Sequence, residues 1–212
     1  MITQKGQSIE DKSMEIIEQE LGPHPYSQDE WTIVKRVIHS TADFDFAKSN
    51  KIIFHKQAIE SGINALKNGC NIVVDVNGVA GLLNKDNLGR FGNKTICSIS
   101  DPQVVEEAKR LNKTRAQTAM RLGTKEVDGG VVAIGNAPTA LQEIIQMSKE
   151  GIVKPALVIG IPVGFVCAAE SKEELAASKI SYITNIGRKG GSPCAAAILN
   201  ALYIILKQRL PS

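Results

Sequence analysis

Apolar and polar positions change rhythm twice along this chain. From Ser8 the apolar residues recur at helical spacing: Met14, Ile17 and Leu21 share one face, and Gly22-Pro23 ends the run. A second helix is predicted over 28–38, with Trp31, Val34 and Ile38 inward, and it delivers His39 followed by Ser40-Thr41-Ala42-Asp43. Short, often β-branched runs then take over, at 51–55, 71–76, 95–99, 131–134, 156–161 and 180–186. Between most of them lie amphipathic stretches of helical period, at 56–67, 102–111, 138–149 and 171–177, and a short helix is expected to open at Thr114-Arg115. The stretch from Cys194 to Leu206 is apolar but interrupted by Asn200, and it falls short of the roughly 20 residues of a membrane span. It reads as a buried helix.

Strands alternating with helices predict an α/β fold: a single domain over residues 1–212 with a mainly parallel, doubly wound sheet flanked by helices. Ligands of such sheets sit beyond the carboxyl ends of the strands. That rule selects the loops at 75–78, 135–138 and 187–193, and Gly160-Ile161-Pro162-Val163-Gly164-Phe165 forms a further turn of the same kind.

Composition narrows the possibilities. With 43% hydrophobic and 22% charged residues the chain is globular, and only 4% of it is aromatic. A net charge of +3 without a Lys/Arg run argues against nucleic acid. Residues 1–20 are polar and acidic, the opposite of a signal peptide, so a cytoplasmic protein with no membrane partner is expected. Cys70, Cys97, Cys167 and Cys194 match no metal or disulfide spacing and read as reduced packing residues, and no histidine or cysteine pair suggests a protein metal site.

The most informative loop is Gly187-Arg188-Lys189-Gly190-Gly191-Ser192-Pro193. Glycines allow close backbone approach, Ser192 suits an N-cap with Pro193 behind it, and two cations stand alongside, so a carboxylate or phosphate would be held well. The spacing is not that of a Walker A loop. Asn136, in Gly135-Asn136-Ala137-Pro138-Thr139, could cap the following helix or donate to a ligand, and Ser171 with Glu174 has capping-box spacing. Of the three histidines, His24 between prolines reads as solvated and His55 as either packed or functional. His39 is set apart by its polar surroundings, and an ordinary pKa of about 6.5 suits histidine to moving protons, although by spacing alone a lone histidine is more often structural. Arg115 could fork a carboxylate or simply be a surface charge. No Gly-x-Ser-x-Gly elbow marks a hydrolase, and no Gly-x-Gly-x-x-Gly with an acidic partner marks a dinucleotide site.

Five segments in order resemble the precorrin-8X methylmutase family. They are Arg36-Val37-Ile38-His39-Ser40-Thr41-Ala42-Asp43-Phe44; Thr114-Arg115-Ala116 with Ala119-Met120; 132–141; Pro162-Val163-Gly164-Phe165-Val166 leading to Glu170-Ser171-Lys172; and 187–193 leading to Asn200-Ala201-Leu202. The resemblance implies an isomerase of cobalamin biosynthesis that shifts a methyl group from C11 to C12 of a corrin precursor. It implies a homodimer with active sites near the interface and no redox or organic cofactor, any cobalt belonging to the substrate. It assigns His39 as proton donor and acceptor. Ser13, Thr41, Arg115, Asn136, Gly164, Arg188, Lys189, Gly190, Gly191 and Ser192 are the expected tetrapyrrole-binding residues, with Val76, Val79 and the 162–165 loop as an apolar slot. A non-catalytic tetrapyrrole carrier is the alternative.

Overall fold

The computed structural model describes residues 3–49 and 51–210. Six strands form one sheet: β1 Ile52–Phe54, β2 Asn71–Val74, β3 Lys94–Ile96, β4 Val131–Ile134, β5 Leu157–Gly160 and β6 Tyr182–Asn185. Their order is β1-β6-β5-β4-β2-β3, and every pairing is parallel except β1 with β6. The helices are α1 Gln4–Leu21, α2 Gln28–Thr41, α3 Ala58–Lys67, α4 Asn77–Gly81, α5 Lys85–Phe91, α6 Pro102–Leu111, α7 Arg115–Leu122, α8 Thr124–Val127, α9 Pro138–Lys149, α10 Ala168–Ala176 and α11 Ser192–Gln208.

The strand runs are continuously apolar because both faces of the sheet are covered. Successive residues enter opposite cores: Val131 and Ala133 pack with α2, α3 and α11, while Val132 and Ile134 pack with α7 and α9. The apolar stretch at 194–206 is the inner part of α11, buried along most of its length. Each aliphatic side chain fully buried there contributes about 1.5–3 kcal/mol. No helix among the described residues is long and apolar enough to cross a membrane.

Several local expectations shift. Helix α2 runs one turn further than its apolar pattern, so His39 lies inside its last turn, which Ala42 closes in the left-handed region at φ 53°. Strand β1 is antiparallel, and α4 and α5 were not legible at all. No capping box starts at Ser171: α10 begins at Ala168, and the Ser171 hydroxyl donates back to the Ala168 carbonyl at 3.2 Å. His24 is not solvated but stacks on Trp31 with ring centroids 4.1 Å apart.

The chain leaves β2 toward β3 in one direction and passes through β4, β5 and β6 in the other, so the sheet's switch point falls between β2 and β4. That is where a doubly wound sheet opens a crevice at its carboxyl edge.

Candidate active site

Five loops leave the carboxyl edge, after β2, β3, β4, β5 and β6. The end of α2 joins them there, because antiparallel β1 sets Ile52 beside Asn185, the last residue of β6. Asp43 caps a short 3-10 turn, Phe44–Ala47, by accepting from the Asp45 N–H at 3.0 Å. The Lys189 ammonium then spans to Asp43 and Asp45, at 2.7 Å from each. Its hydrogen bonds to the two carboxylates hold that ammonium above the ordinary lysine range. His39 is exposed one turn before this junction. The Thr41 hydroxyl donates to the Val37 carbonyl of its own helix at 2.8 Å.

At the switch point the key group is Asp75, in a loop that the sequence selected without giving this carboxylate a role of its own. Its carboxylate is 1% exposed and accepts three main-chain N–H bonds, from Gly135 at 3.0 Å and from Asn136 and Ala137 at 2.7 Å each. Burial pushes its pKa up, and the three donors act against that rise. The N–H groups ahead of α9 are therefore already filled by the protein's own carboxylate. Asn136 makes no side-chain cap there, and the helix N-terminus expected to hook a ligand anion is taken. The exposed Asn136 side chain is what remains for a ligand.

The loops after β5 and β6 are tied to each other. Gly191 N–H donates to the Ile161 carbonyl at 3.0 Å, and Gly164 N–H donates to the Arg188 carbonyl at 3.2 Å. A Cβ on Gly190 would lie 2.2 Å from the Ile161 oxygen, so only glycine permits this approach. Helix α11 is capped by Gly191 at φ 129° without a side-chain bond, not by Ser192 as the sequence suggested. Ser192 instead packs tightly: a Cβ on Gly135 would come within 2.8 Å of its Cα, and one on Gly78 within 3.1 Å of its Oγ.

Of the two cations expected to be free in this loop, Lys189 is committed to aspartates. Arg188 remains exposed, with its guanidinium 5.7 Å from the centre of the Phe165 ring. Phe165 and Val166 are 86% and 79% exposed, an unusual apolar surface beside a cation. The expected apolar slot is partly corrected, since Val79 is fully buried in the core and Val163, Phe165 and Val166 provide the open apolar surface.

Arg115 is exposed at the start of α7. The Thr114 and Thr139 hydroxyls hydrogen-bond at 2.7 Å, which holds that start against the first turn of α9. Buried Glu143 of α9 clamps the same helix pair by accepting from Gln117 at 2.7 Å and pairing with Arg121. Ser13 stays apart: its hydroxyl donates to Ile9 within α1 at 2.9 Å, and no hydrogen bond joins it to the edge loops. Cys194 is buried and the other three cysteines half-buried, all free thiols. Among the described residues no three of His, Cys, Asp and Glu are grouped to hold a metal ion.

This arrangement has known counterparts. The precorrin-8X methylmutase family model matches residues 8–205. The chain belongs to that family. It is 53% identical to a cobalt-precorrin-8 methylmutase of Priestia megaterium, covering 96% of this chain and 90% of that one. To a protein of the same name in Leptospira interrogans it is 48% identical over 98% and 97% of the two chains. A crystal structure of precorrin-8x methyl mutase from Thermus thermophilus superposes with a TM-score of 0.89 at 39% identity, covering 96% of this chain and 97% of the other. At the carboxyl edge stand the exposed Arg188 cation and the open apolar surface of Phe165 and Val166, with the His39 end of α2 tied to it through Lys189.

Proposed function

We propose that this protein moves a methyl group from C11 to C12 of cobalt-precorrin-8, giving cobyrinate, with the metal-free precorrin-8 to hydrogenobyrinate reaction as the parallel route. The C11–methyl bond breaks as the C12–methyl bond forms, so no atoms or electrons enter or leave and no redox or organic cofactor is called for. Cobalt, where present, is part of the substrate. The names of the relatives at 53% and 48% identity support the cobalt form.

The observation that carries this reading is the juxtaposition at one edge of exposed Val163, Phe165 and Val166, the cation of Arg188, and the His39 end of α2 fastened beside it through Lys189. A corrin precursor is a flat apolar disc rimmed with carboxylates. The apolar loop suits its face; Arg188 and Arg115 suit its rim, helped by Asn136, Gly164, Ser192 and the backbone of Gly190 and Gly191. His39 hydrogen-bonds or protonates a ring nitrogen and so selects the tautomer from which the methyl migrates. Thr41 supports it one turn away, and Ser13 has the weakest claim. Holding one conformer and stabilising redistributed charge are the main demands of a rearrangement. The same reading makes the protein a cytoplasmic homodimer with its sites near the interface, a state that sedimentation would test.

The test is to incubate wild type and His39→Ala with precorrin-8 and its cobalt form, following migration by absorption and NMR. Wild type should rearrange the cobalt form, and His39→Ala should bind it while turning over at least ~100-fold more slowly, the usual size of a general acid–base effect. Binding by wild type without migration would establish the carrier instead.

A further inference from the structure

Helix α10, the crossover between β5 and β6, buries a lysine. Lys172 is 1% exposed, and no carboxylate pairs with it among the described residues. Its ammonium donates to the Asn185 side-chain oxygen at 3.0 Å and to the Lys189 main-chain carbonyl at 2.7 Å. Asn185, equally buried, donates to the same Lys189 carbonyl at 3.0 Å and to that of Ile186 at 3.0 Å. Desolvation lowers the Lys172 pKa to about 8, and the neighbouring Cys194 thiol is pushed up to about 12, so it remains neutral and balances no charge. An uncompensated buried cation is costly, and an apolar side chain of the same length would pack here without that penalty.

Both polar side chains point at one carbonyl of one loop. That loop contains Gly187 at φ 80° and Gly191 at φ 129°, residues whose freedom would leave it poorly defined. The Lys189 side chain runs on from the pinned carbonyl to Asp43 and Asp45, four and six residues beyond His39. Arg188, adjacent in the chain, carries the exposed guanidinium.

We propose that Lys172 is a positioning residue for the methylmutase reaction: by gripping the Lys189 carbonyl it fixes the 187–191 loop, and with it Arg188 and the end of α2, in the arrangement that receives the tetrapyrrole. The proposal rests on the carboxyl edge being the substrate site.

The experiment uses the full-length protein as wild type, Lys172→Met, Arg188→Ala and the double variant. It measures kcat and KM with cobalt-precorrin-8 and, without substrate, the rate of tryptic cleavage after Arg188 and Lys189. Folded Lys172→Met should raise KM at least tenfold with a smaller fall in kcat, and its effect should not multiply with that of Arg188→Ala, since both act through one loop. Cleavage within the loop should quicken at least tenfold while cleavage after Arg90 keeps its wild-type rate. If Lys172→Met does not fold, Asn185→Ala carries the same tests, because it removes the second grip on the carbonyl. A KM within twofold of wild type in the folded variant, or fully multiplicative effects, overturns the proposal. If wild type shows no turnover or Arg188→Ala leaves KM unchanged, the site reading is what fails and the proposal falls with it; the cleavage rates then report only whether Lys172 fixes the loop.

Discussion

The two edges of the sheet differ in what they do with polar groups. At the amino edge the loops before β2, β4, β5 and β6 surround a cavity of about 1120 Å³, lined by His55, Lys149, Lys154, Pro155 and Lys179 among others. The cavity is large, but its lysines are held at the surface: Lys149 pairs with Glu174, and Lys154 and Lys179 are exposed. At the carboxyl edge Asp75, Lys172 and Asn185 are buried instead, and each is satisfied by the backbone of a loop that faces outward. Polar groups spent on holding loops are thus concentrated at the edge proposed to bind substrate.

That contrast can be broken by measurement. The largest effect is expected at Asp75: Asp75→Ala strands three main-chain donors and should lower stability by about 3 kcal/mol, read as a drop in the urea midpoint, with Asp75→Asn intermediate. A loss no greater than that of an amino-edge substitution would dissolve the distinction. A smaller effect is expected from pH. Folded Lys172 titrates near 8, below the ordinary lysine value of 10.5, so between those values the folded state binds fewer protons than the unfolded one and unfolding becomes harder as pH rises. Across that window wild type should gain stability relative to Lys172→Met, the lysine's cost being fully present below pH 8. Parallel stability curves would show that Lys172 stays charged throughout. The smallest effect belongs to the amino edge, where Lys179→Ala and Lys154→Ala should each stay within about 0.5 kcal/mol of wild type in stability and leave KM for cobalt-precorrin-8 unchanged. A changed KM there would move the substrate to the other edge.

The sequence carried the architecture well, because β-branched runs such as 131–134 and 156–161 could be little else than strands buried on both faces. It carried short elements poorly: 77–81 and 85–91, rich in Asn and Gly, form helices only because they pack beside α11 and β2. It could not give the direction of β1, since a three-residue apolar run has no polarity. His39, Arg188 and the glycines stood out as motif residues. What remained hidden was pairing over distance: Lys189 reads as a free cation until residues 144 and 146 positions away bring it carboxylates. Asp75 looks like one more turn residue until β4 lies beside β2. Lys172, with glutamates on its far side in sequence, reads as part of a solvated helix face.

The reversed direction of β1 decides how the chain is routed. Had β1 run parallel to β6, either the chain leaving α2 would have had to descend the height of the sheet before entering it, or α2 would have had to end at the amino edge. Reversal lets residues 42–49 turn over at the upper rim and drop directly into the outermost strand. His39 thus arrives from a part of the chain that precedes every strand, while the loops at that edge belong to the crossovers that follow. A terminal strand of three residues, the least substantial piece of the sheet, works as a junction that brings the beginning of the polypeptide to the place where its later loops converge.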